Sequence, residues 1–167
     1  TWTLSGSNIY SGATTLNNGR LVVSGGNGAI LGTSGITLNP GAILALVNSA
    51  ATNNVNRLSD TASITLKGGT LVFTNSGAAY FTEKAGALVV NANSNVLATS
   101  QAELGYTSAV TFASLSRTGP GLLDFRGEGL GADDRNRVFF DAQPPAEGLI
   151  GLWATVNGSA FAAYSNA

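Results

Sequence analysis

Thr14-Thr15-Leu16-Asn17-Asn18-Gly19-Arg20-Leu21-Val22-Val23 decides how this chain is read. A Thr-Leu pair runs into a polar turn, a glycine closes the turn, and an apolar segment follows. The order returns at Ile36-Thr37-Leu38-Asn39-Pro40-Gly41-Ala42-Ile43-Leu44 and at Ile64-Thr65-Leu66-Lys67-Gly68-Gly69-Thr70-Leu71-Val72-Phe73. The glycines Gly19, Gly41 and Gly69 stand 22 and then 28 residues apart. Self-similarity at such a period is the mark of stacked coils, each burying its apolar face against the next. A sandwich of antiparallel hairpins gives no reason for equivalent leucines along the chain.

The rest of the sequence suits an all-β chain. Helix signals are nearly absent, because Gly, Ser, Thr, Asn and β-branched residues are poor interior helix formers. Short segments with apolar residues at every second place recur instead, among them Arg20–Ser24, Ile43–Asn48, Thr70–Thr74, Ala87–Asn91, Ala109–Ala113, Leu122–Arg126 and Gly151–Asn157. Gly- and Asn-rich clusters such as Ser24-Gly25-Gly26-Asn27-Gly28 separate them, since both residues tolerate positive φ. The expected fold is a parallel β-helix, a single unit over residues 1–167. Coils of roughly 20–28 residues spaced about 4.8 Å apart give some six or seven coils and a rod of about 30 Å. Leu16, Leu38 and Leu66 should form one inward column, and Leu21, Ile43 and Leu71 another. Asn17 and Asn39 should bond to each other at equivalent corners.

The module is regular over 1–80 and irregular over 81–167. Phe81-Thr82-Glu83-Lys84-Ala85-Gly86-Ala87-Leu88 keeps the Gly but sets Glu83 where Leu belongs, so Glu83 must turn outward, find a partner, or mark a shifted corner. Val110-Thr111-Phe112 restarts the triplet without its Gly, and Gly121-Leu122-Leu123-Asp124-Phe125 resembles a second half-module. Leu130 to Pro145, with Pro144-Pro145, reads as loops around a Val138-Phe139-Phe140 strand.

Composition narrows the function. Hydrophobic residues make up 44% of the 167, so the chain folds, while only 10% are charged, against roughly 25% in typical soluble domains. The polar skin is therefore Ser, Thr and Asn, a composition that points to an extracellular or cell-surface location. A net charge of -1 supplies no field for nucleic acid or an anionic membrane. Cys, His and Met are absent, which excludes disulfides, thiolate or imidazole metal sites, and Ser-His-Asp or Cys-His catalysis. No apolar run is long enough for a membrane helix, and no signal peptide stands at the start. The lack of an initiator Met predicts a fragment, a processed product or one tandem period of a longer chain.

The opening Trp2-Thr3-Leu4-Ser5-Gly6-Ser7-Asn8-Ile9-Tyr10-Ser11-Gly12-Ala13-Thr14-Thr15-Leu16-Asn17-Asn18-Gly19-Arg20-Leu21 resembles the autotransporter-associated β-strand repeat. That pattern has a Leu-Ser-Gly start, Asn-x-Tyr-x-Gly, a Thr-Thr pair, and Asn-Gly-Gly-x-Leu. Here Asn18 replaces the first Gly of the last motif. Asn54 to Leu71 and Leu149 to Gly158 resemble segments between such repeats. The resemblance implies a right-handed β-helix in a secreted or surface-displayed bacterial passenger, in tandem with similar units and without catalytic residues. Trp2-Thr3-Leu4-Ser5-Gly6-Ser7 partly echoes Trp153-Ala154-Thr155-Val156-Asn157-Gly158-Ser159, as one period ending where the next begins. Open edges at both ends would then take copies of the chain or adjacent repeats as partners.

Four groups of residues invite a chemical reading. Asp124, Glu128, Asp133, Asp134 and Asp141 concentrate acid in one region, as in β-helical enzymes that use calcium or paired carboxylates on polysaccharides. A solvated loop neutralised by Arg126, Arg135 and Arg137 explains them more simply. Tyr10, Tyr80, Tyr106 and Trp153 would stack on glycans if they faced outward on one side. Gly25-Gly26-Asn27-Gly28 is a coil corner, because no Gly-Lys-Ser/Thr follows it. Asn157-Gly158-Ser159 matches the glycosylation sequon, which is idle in a bacterial protein. No catalytic, cofactor-binding or metal-ligating residue is assigned, and no cofactor is expected. The reading is a non-catalytic structural protein of a bacterial surface layer, passenger stalk or fibre. A glycan-binding adhesin is the alternative, and a polysaccharide-degrading enzyme the third choice.

Overall fold

A computed structural model describes residues 1–142 and 148–165. All of its regular structure is β, in strands that wind as a parallel solenoid. The first sheet holds seven parallel strands: β1 (Trp2–Leu4), β3 (Gly19–Val23), β5 (Ala42–Ser49), β7 (Thr70–Ser76), β10 (Ser94–Ser100), β12 (Leu122–Arg126) and β15 (Ala154–Val156). The second stacks β2 (Thr14–Leu16), β4 (Ile36–Leu38), β6 (Ile64–Leu66), β9 (Leu88–Val90) and the last residues of β11 (Ser108–Arg117). A third face begins with single bridges, Ser7 to Ala29 and Ile30 to Leu58. It widens into β8 (Phe81–Ala85), the first half of β11, and β13 (Asn136–Ala142). Five coils carry a strand on both main sheets, and partial coils extend the stack at either end.

Register creates the core. Leu16, Leu38 and Leu66 stand in register and are buried, as their shared place in the module requires, and Val90 continues the column. On the first sheet Leu21, Leu44, Leu71, Leu97, Phe125 and Val156 form the second column. The sequence reading placed Ile43 in it, and the structure corrects this to Leu44. Ile43 lies beside Arg20 and Thr70, half-buried on the outward side. The cause is corner length. Five residues, Asn39 to Ile43, separate Leu38 from Leu44, where four separate Leu16 from Leu21 and Leu66 from Leu71, and a slip of one reverses every side chain. Gly19 and Gly41 make these corners at φ +79 and +78, a region that favours glycine.

The module decays after residue 80, but the stack does not break there. Leu88-Val89-Val90 pairs with Ile64-Thr65-Leu66, so Leu88 begins a first half-module rather than ending a second. The triplet equivalent to it in the next coil is Leu115-Ser116-Arg117. Val110-Thr111-Phe112 belongs to the third face, beside Glu83-Lys84-Ala85. The 121–125 segment does continue the first sheet, on β10. Val138-Phe139-Phe140 is a strand, parallel to β11. The loop expected at Pro144-Pro145 lies outside the described residues. Coils lengthen along the stack, from 19 residues between Trp2 and Leu21 to 31 between Phe125 and Val156, and the corners absorb the difference.

The two ends differ. At the start, β1 and β2 are edge strands, and Trp2 occupies the inward leucine column yet is 80% exposed, with no coil above it. At the other end, β15 turns back antiparallel into β16 (Ala160–Phe161), and β14 (Gly148–Leu149) pairs antiparallel with β17 (Ala163–Tyr164). The first sheet is thus open at one edge and covered at the other. Trp2 and Trp153 sit at opposite ends of this sheet, but Trp2 aligns through the columns with Val156. The sequence echo is three residues out of register.

Candidate functional site

The acidic region is a set of ion pairs. Asp124 accepts from Arg126 Nε at 2.6 Å, from Thr155 Oγ1 at 2.8 Å and from the Gly158 N–H at 2.8 Å. Burial pushes the Asp124 carboxyl up, but these donors outweigh it and hold it below the usual carboxylate range. Arg135 bridges Glu128 and Asp133, each at 2.8 Å. The Arg135 hydrogen bonds hold Asp133 low, and its two carboxylate partners raise Arg135 further. Arg137 pairs with Asp134, and Lys84 with Asp141 at 3.0 Å. Every one of the five carboxylates has a cation beside it. Among the described residues, no three His, Cys, Asp or Glu side chains come together to hold a metal ion.

The four aromatics divide among separate corners. Tyr10 precedes β2 and shares a hydrogen bond of 2.8 Å with Thr14 Oγ1. Tyr80 and Tyr106 stand at the entries to β8 and β11, with ring centroids 5.4 Å apart, and Tyr80 Oη donates to Gly105 O at 3.1 Å. Trp153 precedes β15 and takes the Arg117 guanidinium over its ring at 5.7 Å. A strip of four on one side does not form. What exists is a tyrosine pair with Leu104 exposed nearby in sequence. Gly25 to Gly28 form a tight corner against the first coil, where a Cβ at Gly28 would overlap Ser24 O.

A cleft of about 590 Å³ opens at the C-terminal end of the stack. Phe125, Phe140, Val138, Ile150, Val156 and Tyr164 make its apolar floor, with Asp133, Asp134 and Arg137 at the rim. Those rim charges are already paired with cations or carboxylates. A shallower groove lies at the other end, between Trp2, Leu16 and Leu21. Both hollows are places where the interior columns stop.

The most elaborate side-chain network is one the composition concealed. Arg57 is fully buried. Its guanidinium donates to Asn48 Oδ1 at 2.7 and 3.0 Å, to Gly28 O at 2.7 Å and to Val47 O at 2.9 Å. Asn48 Nδ2 donates to Asn75 Oδ1 at 3.2 Å, and Asn75 to Ser108 Oγ. Ser108 meets Thr99 at 2.7 Å, Thr99 donates to Asn136 Oδ1 at 3.2 Å, and Asn136 Nδ2 donates to Gln101 O at 3.1 Å. This spine crosses several coils at the corner between the first and third faces. Glu83 lies beside it, buried on β8, and replaces a missing rung. Its carboxylate accepts from the Arg57 N–H at 3.0 Å and from the Leu58 N–H at 2.9 Å. Burial pushes the Glu83 carboxyl up to about 7, against the pull of those N–H groups and of Arg57. Burial likewise draws Arg57 below its ordinary value, with Glu83 opposing. Among the described residues, every buried side-chain polar atom has a partner. One sequence signal pointed here: Asn48-Ser49 and Asn75-Ser76 end their strands alike, and they are in register.

The chain matches no family model, no curated protein and no solved structure. The geometry describes an interior, two ends and a neutralised surface.

Proposed function

We propose that this protein is a non-catalytic structural segment of a bacterial extracellular surface layer, passenger stalk or fibre, wound in the right-handed sense that parallel crossovers adopt. One observation carries the reading: side-chain columns run along the axis through successive coils, from Leu16 to Val90 and from Trp2 to Val156. A stack of this kind carries load and sets distance, because each rung bonds only to its neighbours. The neutral Ser, Thr and Asn skin and the paired carboxylates suit an exposed rod in changing pH and salt. The edges of β1 and β2 offer a place for another coil, an adjacent repeat or a second copy.

A glycan-binding role is the second reading, supported by the exposed Tyr80 packed beside the half-buried Tyr106. The test combines a glycan array with a hydrolysis assay on polysaccharides. The structural reading expects neither selective binding nor cleavage. Selective binding lost in Tyr80→Ala would establish the adhesin. Cleavage lost in an Asp133→Ala, Asp134→Ala double variant would establish an enzyme.

A further inference from the structure

Two features of the stack leave its register open. Side chains on a strand alternate with a period of two, so neighbouring strands that slip by two keep the same faces inward. β5 turns Leu44, Leu46 and then Asn48 inward, and β7 turns Leu71, Phe73 and then Asn75. A slip of two sets Leu71 beside Leu46, or Phe73 beside Leu44, which is still apolar on apolar. Loop length does not choose between them. The corner from the first sheet to the third face takes four residues between β7 and β8, seven between β10 and β11, and nine between β12 and β13. The buried spine lies at that corner, and its bonds depend on position. Asn48 Nδ2 reaches Asn75 Oδ1 at 3.2 Å where the two residues are in register. Asn75 Nδ2 donates to Ser108 Oγ, Ser108 meets Thr99, and Thr99 donates to Asn136 Oδ1. Slipping β7 one way puts Phe73 beside Asn48; slipping it the other way puts Asn75 beside Leu46. All of these side chains are buried, so either slip strands amides and hydroxyls away from water.

We infer that this spine is a register lock, a buried polar network that selects one coil-to-coil alignment among those the apolar columns accept. It joins four successive coils through Asn48, through Asn75, through Thr99 with Ser108, and through Asn136. The aliphatic columns drive the stacking, and the amides and hydroxyls decide where sliding stops. A fully satisfied buried network suits that role, because a competing alignment breaks several of its bonds together. Fixing register is also the best-attested use of buried polar groups.

The chain has no cysteine, so introduced pairs report register without background. Val47→Cys is combined in turn with Val72→Cys, Thr74→Cys or Ser76→Cys, which share the outward side of β7. Val47 and Thr74 are in register, and neighbours on adjacent strands lie about 4.8 Å apart. The other two lie on the diagonals at about 7–8 Å, beyond the Cα span of about 4.4–6.8 Å that a disulfide bridges. Each double variant is refolded from urea with its thiols reduced, then oxidised, and disulfide closure is followed by mass spectrometry. With the spine intact, the Thr74 pair should close at least about tenfold faster than either diagonal. The triple variant Asn75→Leu, Thr99→Val, Ser108→Ala removes the middle of the spine and leaves Arg57 with its own partners. It should keep the β signal in circular dichroism, while the preference for the Thr74 pair falls below about threefold. A preference that stays above that value would mean that columns and corners set the register. A lost β signal would mean that the spine holds the fold up instead of choosing its alignment. Either result overturns the inference, as would a native spine that lets the diagonals close as fast as the register pair.

Discussion

Glu83 shows how much a single residue decides. Its carboxylate stands in for a β-rung, receiving N–H groups that no backbone carbonyl meets. Its folded pKa is raised to about 7 from 4.5. Between those values the folded state holds a proton that the unfolded state has lost, so stability falls as pH rises from 4.5 to 7 and levels off above. A shift of that size corresponds to about 3 kcal/mol. Urea denaturation across this range should show the decline in the native chain and a flatter profile in Glu83→Gln, which keeps one accepting oxygen. Identical slopes in both would remove Glu83 as the cause. Leu38 lies at the other extreme, fully buried between Leu16 and Leu66. Leu38→Asp would place a lone charge in the column at a cost of several kcal/mol, and circular dichroism should show an unfolded chain. At this scale the sequence made the first-copy leucines legible, because strand alternation and a shared offset from glycine fix their facing. Ile43 was misread because one additional corner residue is invisible to a motif aligned on its glycine.

At the scale of strands and corners, the side-chain ladders divide into exposed and buried kinds. The Asn17–Asn39 bond is exposed, and Asn39→Ala should cost only about 0.5–1 kcal/mol. Asn48 is buried and accepts two bonds from the Arg57 guanidinium. Asn48→Leu leaves those charged donors without their acceptor, and should cost about 2–3 kcal/mol or more. Equilibrium urea titration of both variants checks the contrast, and equal losses would mean that the spine is not a buried, closed network. The spine was not legible in advance, since Asn, Ser and Thr look like surface residues in a chain with so few charges. The third face was missed for another reason. Its early rungs are single bridges at Ile30 and Leu58, too short to have a period, and only β8, β11 and β13 give it strand length. The ion pairs of the acidic region were legible, because arginines alternate with the acids along 124–137.

For the whole molecule, the parallel stack follows from repeated offsets in the sequence, and its ends follow from where the columns run out. The sequence offered two open edges; the antiparallel turn of β15 into β16 closes one, and nothing in a strand-length pattern announces that reversal of direction. The surface charges are paired and exposed at Glu128, Asp134 and Asp141. Asp134→Ala should therefore leave the urea midpoint nearly unchanged, since exposed surface pairs contribute little. The function proposed above seats another parallel coil, of an adjacent repeat or a second copy, on the edge formed by β1 and β2. Cryo-electron microscopy of the native material in which the protein occurs tests it most directly. The account predicts rods in which rungs about 4.8 Å apart continue past Trp2 without a gap. A discrete particle with that edge bare, or covered by something other than a parallel coil, would contradict it.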